Sequence, residues 1–307
     1  MDTKNPALGG IRLVLGGNVF GWTADQATSF AILDAFYAAG GRMIDTADMY
    51  SVWVPGHKGG ESEAVIGAWL AARPGRRAEM RIATKTNGMG KPGGLAPATV
   101  AAALDASLKR LQTDYVDLYY AHRDDQSMPL EEIAGGLDAL VKAGKVRALG
   151  ASNFTAERLH AARAAAMSKG FAPYIVIQNE FNLITRDQHE GAMRELCLKE
   201  GVAALPYYAL AAGFLSGKYR TVEDLAKSPR GLGAPKKHLE RQLALLSRMD
   251  KVAAETGASL AQIAVAWVLA QPGIAAPIAS ATSLAQLEQL IAATKLKLSP
   301  AQLAALG

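Results

Sequence analysis

Hydrophobic and polar positions along this chain follow one repeated order. A short apolar run leads to a polar loop, and the loop leads to an amphipathic stretch. Arg12–Leu15 precedes Asp25–Ala39, and Met43–Ile44, ending at Asp45, precedes Ser62–Ala72. Met80–Thr84 ends at Lys85 ahead of Pro97–Gln112, and Val116–Ala121 ends at His122 ahead of Leu130–Ala143. Val146–Gly150 ends at Ser152 before Thr155–Ser168, and Ile175–Ile177 ends at Gln178 before Arg186–Glu200. Val202–Pro206 ends at Tyr207, and a long loop near 214–240 leads to Leu239–Thr256. Ala275–Ile278 ends near Ser280, and Ser283–Ala293 completes the series.

The amphipathic stretches have helical period. Val100, Leu104, Leu108 and Leu111 recur on one helix face, as do Ile133, Leu137, Leu140 and Val141. Gly144 falls where a helix-ending glycine belongs. The strand runs are apolar without alternation, which suits strands buried on both faces of a parallel sheet. Strands alternating with helices imply right-handed βαβ units. Eight such units in 307 residues predict a single-domain (β/α)8 TIM barrel over 1–307. A doubly wound sheet would carry G-x-G-x-x-G near its start, and Gly16-Gly17-Asn18-Val19-Phe20-Gly21 lacks that spacing.

Composition narrows the setting. The chain is 50% hydrophobic and 20% charged, which fits neither a disordered nor a collagen-like protein. No run approaches the roughly 18–20 apolar residues of a membrane span. Met1–Gly10 lacks a basic stretch followed by an apolar one, so no secretory leader is expected. Cys197 is the single cysteine, which excludes an internal disulfide and a Cys-only zinc cluster. A reducing, cytoplasmic location is the expectation. The net charge of +5 is mild. Its densest basic segment, Arg220–Arg241, holds Lys227, Arg230, Lys236 and Lys237 but also Glu223 and Asp224. That mixture suits a loop closing over a phosphate-bearing small molecule better than a nucleic-acid surface. Neither a nucleic acid nor a membrane is expected as partner.

In a barrel, chemistry collects at the C-terminal ends of the strands. The polar residues there are Asp45, Tyr50, Lys85, His122, Ser152, Asn153, Gln178 and Tyr207. Tyrosine is a weak acid, and a neighbouring ammonium lowers its pKa. A carboxylate keeps the lysine charged and placed, and a histidine orients a carbonyl oxygen or relays its proton. Together they describe an acid that protonates a carbonyl while another group delivers hydride.

These residues lie in motifs that resemble those of the aldo-keto reductases. Ile44-Asp45-Thr46-Ala47-Asp48-Met49-Tyr50 with Gly60-Glu61-Ser62-Glu63 is similar to the family's first signature. Ile82-Ala83-Thr84-Lys85 resembles its lysine strand, and Asp114 to His122 its histidine strand. Gly150-Ala151-Ser152-Asn153-Phe154, Gln178-Asn179-Glu180-Phe181-Asn182 and Tyr207 to Tyr219 follow in family order. The resemblance runs from about Leu13 to Leu290. It implies a (β/α)8 oxidoreductase, usually using NADPH, that reversibly reduces an aldehyde or ketone to an alcohol.

Residue by residue, the resemblance implies Tyr50 as general acid, Lys85 as its pKa depressor, Asp45 as the partner of Lys85, and His122 as orienter of the carbonyl. It places Ser152, Asn153 and Gln178 at the nicotinamide carboxamide and Tyr207 against the ring. Leu210, Gly213, Ser216 and Lys218 would line the pyrophosphate. Ser280, Thr282, Gln286 and Gln289 would lie at the adenosine end. Where many relatives carry Gly-Thr-Arg, this chain reads Ser280-Ala281-Thr282, without an arginine for the 2′-phosphate. NADPH is favoured and NADH stays open.

Trp22 and Trp53, on the loops after the first two strands, either line the substrate entrance or pack beneath those loops. Trp69 and Trp267 belong to helix faces, and Cys197 to a core stripe with Met193. Gly213 to Tyr219 is one residue short of a phosphate-binding P-loop. His189-Glu190 has no second histidine at zinc-ligand spacing, and Ser152 lacks a nucleophile elbow. The short segment after the eighth helix, Lys295–Gly307, resembles the shorter bacterial branch, which is related to the potassium-channel β-subunit type. That relation keeps a second reading open, a nicotinamide-binding regulatory protein on the same barrel with slow turnover.

Overall fold

The computed structural model describes residues 10–228 and 232–307. The leader reading of Met1–Gly10 therefore lies outside the described residues up to residue 9, as does Arg230. The first half runs β1 (Val14–Gly16), α1 (Gln26–Ala38), β2 (Met43–Asp45), α2 (Glu61–Ala71), α3 (Arg76–Glu79), β3 (Arg81–Thr86), α4 (Pro97–Leu111), β4 (Leu118–Ala121) and α5 (Leu130–Lys142). The second half runs β5 (Leu149–Ser152), α6 (Ala156–Ser168), β6 (Tyr174–Gln178), α7 (Ala192–Glu200), β7 (Ala203–Ala204), α8 (Ala234–Thr256), α9 (Leu260–Ala270), β8 (Ile278–Ala279), α10 (Leu284–Ala293) and α11 (Pro300–Leu306). Two 3₁₀ segments, Ala211–Ser216 and Glu223–Lys227, occupy the loop after β7.

The strands hydrogen-bond in the order β7–β6–β5–β4–β3–β2–β1–β8, each pair parallel. The ring closes where Ala275 N–H donates to Ala204 O at 2.9 Å and Ile278 N–H to Pro206 O at 2.8 Å. Arg12 pins the same seam by donating to Ile274 O at 2.9 Å and Ala275 O at 3.0 Å. The chain is a (β/α)8 barrel.

Period-2 geometry sorts each strand between two cores. Val14, Met43, Ala83, Leu118, Tyr120, Val176, Leu205 and Ile278 form the barrel interior. Leu15, Ile44, Ile82, Tyr119, Ile177 and Ala204 face outward against the helices, in a second, larger core. Both faces are buried, so the strands read as unbroken apolar runs. One inward step beyond the interior layer come Asp45, Lys85, His122, Ser152, Gln178, Tyr207 and Ser280. The barrel thus converts strand alternation into a polar layer over an apolar floor. Gly150 belongs to this packing: a Cβ there would meet the Tyr120 ring at 2.5 Å.

Helix ends follow local chemistry. Asp25, Thr155, Ser259, Ser283 and Ser299 cap the N-termini of α1, α6, α9, α10 and α11. Gly144, at φ +74°, follows α5 as expected. The helix C-termini converge on the pole opposite the polar layer, where the negative ends of their dipoles favour cations. Arg77 there donates to Met80 O at 3.0 Å and Tyr115 O at 2.8 Å, and lies 2.9 Å from the Asp117 carboxylate.

Four sequence expectations shift. The helix expected from Arg186 begins at Ala192, because Gly191 at φ +74° and ψ −130° breaks the run. The helix expected from Leu239 begins at Ala234. Helix α9 falls outside the eight expected strand–helix units, because it is buried on nearly every side and shows no polar stripe. The tail after Thr294 is not merely a segment: Ser299 and Gln302 form a capping box that starts α11. Among the described residues, no single helix is long and apolar enough to cross a membrane.

Candidate active site

The polar layer is organised around Lys85, whose side chain is fully buried at the end of β3. Its Nζ donates to Asp45 Oδ2 at 2.6 Å, to Thr46 O at 2.8 Å and to Tyr50 Oη at 3.1 Å. All three protons of the ammonium therefore have acceptors, which a buried charge requires. Burial pushes the lysine down, and Asp45 and Tyr50 together more than restore it, so Lys85 is held above its usual value and charged. Asp45 has its other oxygen, Oδ1, bonded to Gln178 Nε2 at 2.9 Å.

Tyr50 stands on the loop after β2, partly exposed, with its hydroxyl on Lys85. Desolvation raises the phenol, Lys85 pulls it back, and the balance lies above the usual tyrosine value. This corrects the expected net depression: Lys85 acts in the expected direction, but burial outweighs it. The hydroxyl is therefore protonated at neutral pH.

His122 faces Tyr50 across the mouth, with ring centroids 6.2 Å apart. Desolvation, followed by Lys85 and Arg123, holds the imidazole well below its usual pKa. The ring is neutral at pH 7 and offers hydrogen bonds without acting as a cation. Its Nδ1 is buried and makes no hydrogen bond among the described residues.

The polar groups predicted to hold the carboxamide come together at the ends of β5 and β6. Ser152 Oγ donates to Gln178 O at 2.7 Å, and Asn153 Nδ2 to His122 O at 2.9 Å. Tyr207 Oη donates to Asn153 Oδ1 at 2.8 Å. Burial, first, and Glu180, second, push the Tyr207 phenol up to about 12, so its ring is neutral as well. These bonds fix Asn153, which holds a left-handed φ of +59°.

The more distant residues line the rim. Leu210, Gly213 and Ser216 lie on and beside the Ala211–Ser216 turn, where Ser216 Oγ donates to Gly213 O at 2.8 Å. Gly213 has φ +94°, and a Cβ there would sit 3.4 Å from Lys218 Nζ, so the ammonium stands over bare backbone. Arg220 and Lys227, in the basic segment, pair with Asp250 at 2.7 Å and Asp224 at 2.6 Å. Ser280 Oγ donates to Asn18 Oδ1 at 2.6 Å. Thr282 N–H and Oγ1 both donate to Gln286 Oε1, at 2.9 and 3.1 Å, and Ser259 Oγ donates to Gln289 at 3.1 Å. The amides expected beside adenine therefore have bonds within the chain.

Trp53 is 44% exposed and lies edge-on to Tyr50 at 5.7 Å and to Trp22 at 5.6 Å. The pair therefore stands beside Tyr50 at the barrel mouth. Three residues not anticipated from sequence also matter. Tyr120 lies under Lys85, with Nζ 5.8 Å from its ring centroid. Its signal was its place two residues before His122 on one strand face. Asp48 and Glu63 share a polar cluster behind the site, where Thr84 Oγ1 donates to Glu63 at 2.5 Å and Arg110 lies 2.6 Å from it. Both stand in the first signature segment, but nothing in their spacing shows that they meet.

A charged lysine joining a carboxylate to a protonated tyrosine, with a neutral imidazole opposite, can bind and protonate a polarised oxygen. Amides, a stacking ring and a lysine over bare backbone form a donor set that suits a nicotinamide dinucleotide. Comparison with known proteins agrees. Residues 12–307 match the model of the aldo/keto reductase family. The chain is 33% identical to the uncharacterized oxidoreductase YrpG of Bacillus subtilis, over 94% of this chain and 88% of that one. It is 32% identical to an NADP(+) aryl-alcohol dehydrogenase of Phanerodontia chrysosporium, over 92% and 75% of the two chains. It is 33% identical to norsolorinic acid reductase of Aspergillus flavus, over 90% and 69%. The chain is an oxidoreductase and belongs to the aldo/keto reductase family.

Proposed function

We propose that this enzyme reversibly reduces aromatic aldehydes or ketones to alcohols, with NADPH as the favoured cofactor and Tyr50 as the proton donor. The observation that carries the reading is the buried chain Asp45–Lys85–Tyr50, closed by bonds of 2.6 and 3.1 Å. A nicotinamide cofactor supplies the hydride when bound. Ser152, Asn153 and Gln178 would hold its carboxamide, and Tyr207 would lie against its ring. Lys218 and the Gly213 turn would hold the pyrophosphate.

The chain's own part is to place a carbonyl oxygen between Tyr50 Oη and His122. As negative charge grows on that oxygen, Tyr50 gives up its proton. A phenol is a far stronger acid than the alcohol formed, even with its pKa raised, so transfer runs downhill. The Lys85 ammonium then stabilises the phenolate. Neutral His122 orients the oxygen without competing as the acid.

The aromatic preference rests on the Trp22–Trp53–Tyr50 edge contacts around the mouth. The names of the relatives that act on aryl alcohols and norsolorinic acid point the same way. The NADPH preference has support in the NADP(+) of two relatives' names and is tempered by Thr282. The test is steady-state oxidation of NADPH and NADH with aryl aldehydes, aliphatic aldehydes, ketones and keto-sugars, with Tyr50→Phe as control. Turnover of aryl carbonyls that disappears in Tyr50→Phe supports the reading. Tight cofactor binding without turnover of any carbonyl overturns it in favour of the regulatory role.

A further inference from the structure

Tyr50 opens a loop that returns on itself, because Gly60 N–H donates back to Tyr50 O at 2.8 Å. Between these ends the loop is a series of turns, from Val52 N–H to Met49 O, Val54 N–H to Ser51 O and His57 N–H to Val54 O. Neither helix nor strand stiffens it. The stiffening comes from Glu61, the first residue of α2. Its Oε1 accepts Lys58 N–H at 2.8 Å, and its Oε2 accepts Gly59 N–H at 3.0 Å and Ser51 N–H at 3.1 Å. These three donors lie outside α2, so the carboxylate does more than complement the helix dipole. His57 Nδ1, 3.0 Å from Ser51 Oγ and 4.0 Å from Glu61 Oε2, completes the clasp. Desolvation raises the Glu61 carboxyl, and the backbone N–H groups of Lys58, Glu61 itself and Ser51, with His57, outweigh it, so the group stays ionised. Trp53 rides on this loop and touches Tyr50 and Trp22 with ring edges.

We infer that Glu61 is a positioning residue for substrate selection: its carboxylate clamps loop 51–59 so that Trp53 stands over Tyr50 as a wall for flat aromatic carbonyls. This rests on the carbonyl reductase reading above. Glu61 touches no reacting atom and acts through Trp53. Charge-assisted bonds to three amides hold one loop shape, and a neutral side chain holds it less firmly. A loop free to move lets Trp53 leave the wall. Aromatic substrates lose a ring partner, while small aliphatic ones lose little.

The experiment compares wild type, Glu61→Gln, Trp53→Ala and the double variant. Amide hydrogen exchange of loop 51–59 needs no turnover, and it is expected to speed up by about tenfold in Glu61→Gln with strand β3 unchanged. KM for benzaldehyde is expected to rise by about tenfold with kcat nearly kept, while propanal kinetics stay within about twofold. In the Trp53→Ala background, Glu61→Gln is expected to add nothing to KM. Unchanged exchange overturns the clamp. Equal losses for benzaldehyde and propanal, or a full Glu61 effect without Trp53, overturn its role in selection. Should wild type reduce neither carbonyl, the reductase reading falls while the exchange result still decides the clamp.

Discussion

Gln178 and Asp45, 133 positions apart, meet across the barrel mouth, where Gln178 Nε2 donates to Asp45 Oδ1 at 2.9 Å. The bond leaves Asp45 Oδ2 to Lys85 alone and fixes the carboxylate's plane. Removing either partner leaves a buried group short of a bond, but the costs differ. Gln178→Leu orphans one carboxylate oxygen and is expected to cost about 1–3 kcal/mol. Asp45→Ala strands a buried ammonium and is expected to cost about 3–5 kcal/mol. Urea unfolding of the two variants ranks them, and equal stability would mean that the carboxylate is not the anchor of Lys85.

Tyr50→Phe is expected to reduce kcat by about 10²–10⁴ while cofactor affinity stays within about twofold, because it removes only a positioned proton donor. The state of the site also sets a pH profile. Tyr50 lies above its usual pKa and His122 well below its own, so neither titrates near neutrality. The rate of carbonyl reduction is expected to be flat from about pH 6 to 9. An inflection near the ordinary histidine value would make protonated His122 the acid.

The barrel and most of the site were legible because strand ends are one-dimensional landmarks. Asp45, Lys85, His122 and Gln178 each close an apolar run, and the barrel carries every run's end to one mouth. The balance of energies at those ends was not legible. From sequence Lys85 lowers the pKa of Tyr50, but the desolvation that overrides it depends on how the whole mouth packs. Helix α9 was obscured for a related reason: a helix buried nearly all round has no polar stripe to reveal its period. Glu61 stands within the first signature, yet its three bonds depend on how loop 51–59 folds back over α2.

Asp48 carries a pH signature of its own. Desolvation, then the neighbouring Glu63, raises its carboxyl to about 6, and its Oδ1 is buried with no hydrogen-bond partner among the described residues. The folded state therefore keeps the Asp48 proton over a window, from about pH 4 to 6, in which the unfolded chain has lost it. Stability from this group is present below that window and falls as pH rises through it. Asp48→Asn cannot ionise and is expected to be more stable than wild type by about 2 kcal/mol at pH 7.5, with little difference near pH 4. Denaturant melts at the two pH values decide it, and a gap of the same size at both would assign the effect to packing.

Cofactor choice turns on Thr282. Its N–H and hydroxyl are both bonded to Gln286 Oε1, and Thr282 itself supplies no cation where a 2′-phosphate is expected. Thr282→Arg would supply one, at a site whose surroundings are exposed enough for a long side chain to find its rotamer. A charge-assisted bond of about 1.5–3 kcal/mol is expected to raise the NADPH-over-NADH affinity ratio by roughly ten- to a hundredfold. The gain should shrink as salt rises, because the new pair is solvent-facing and screened. Fluorescence titration with both cofactors at low and high ionic strength measures the ratio and its screening together. An unchanged ratio would mean that another cation, from the segment after Lys218, already holds the phosphate.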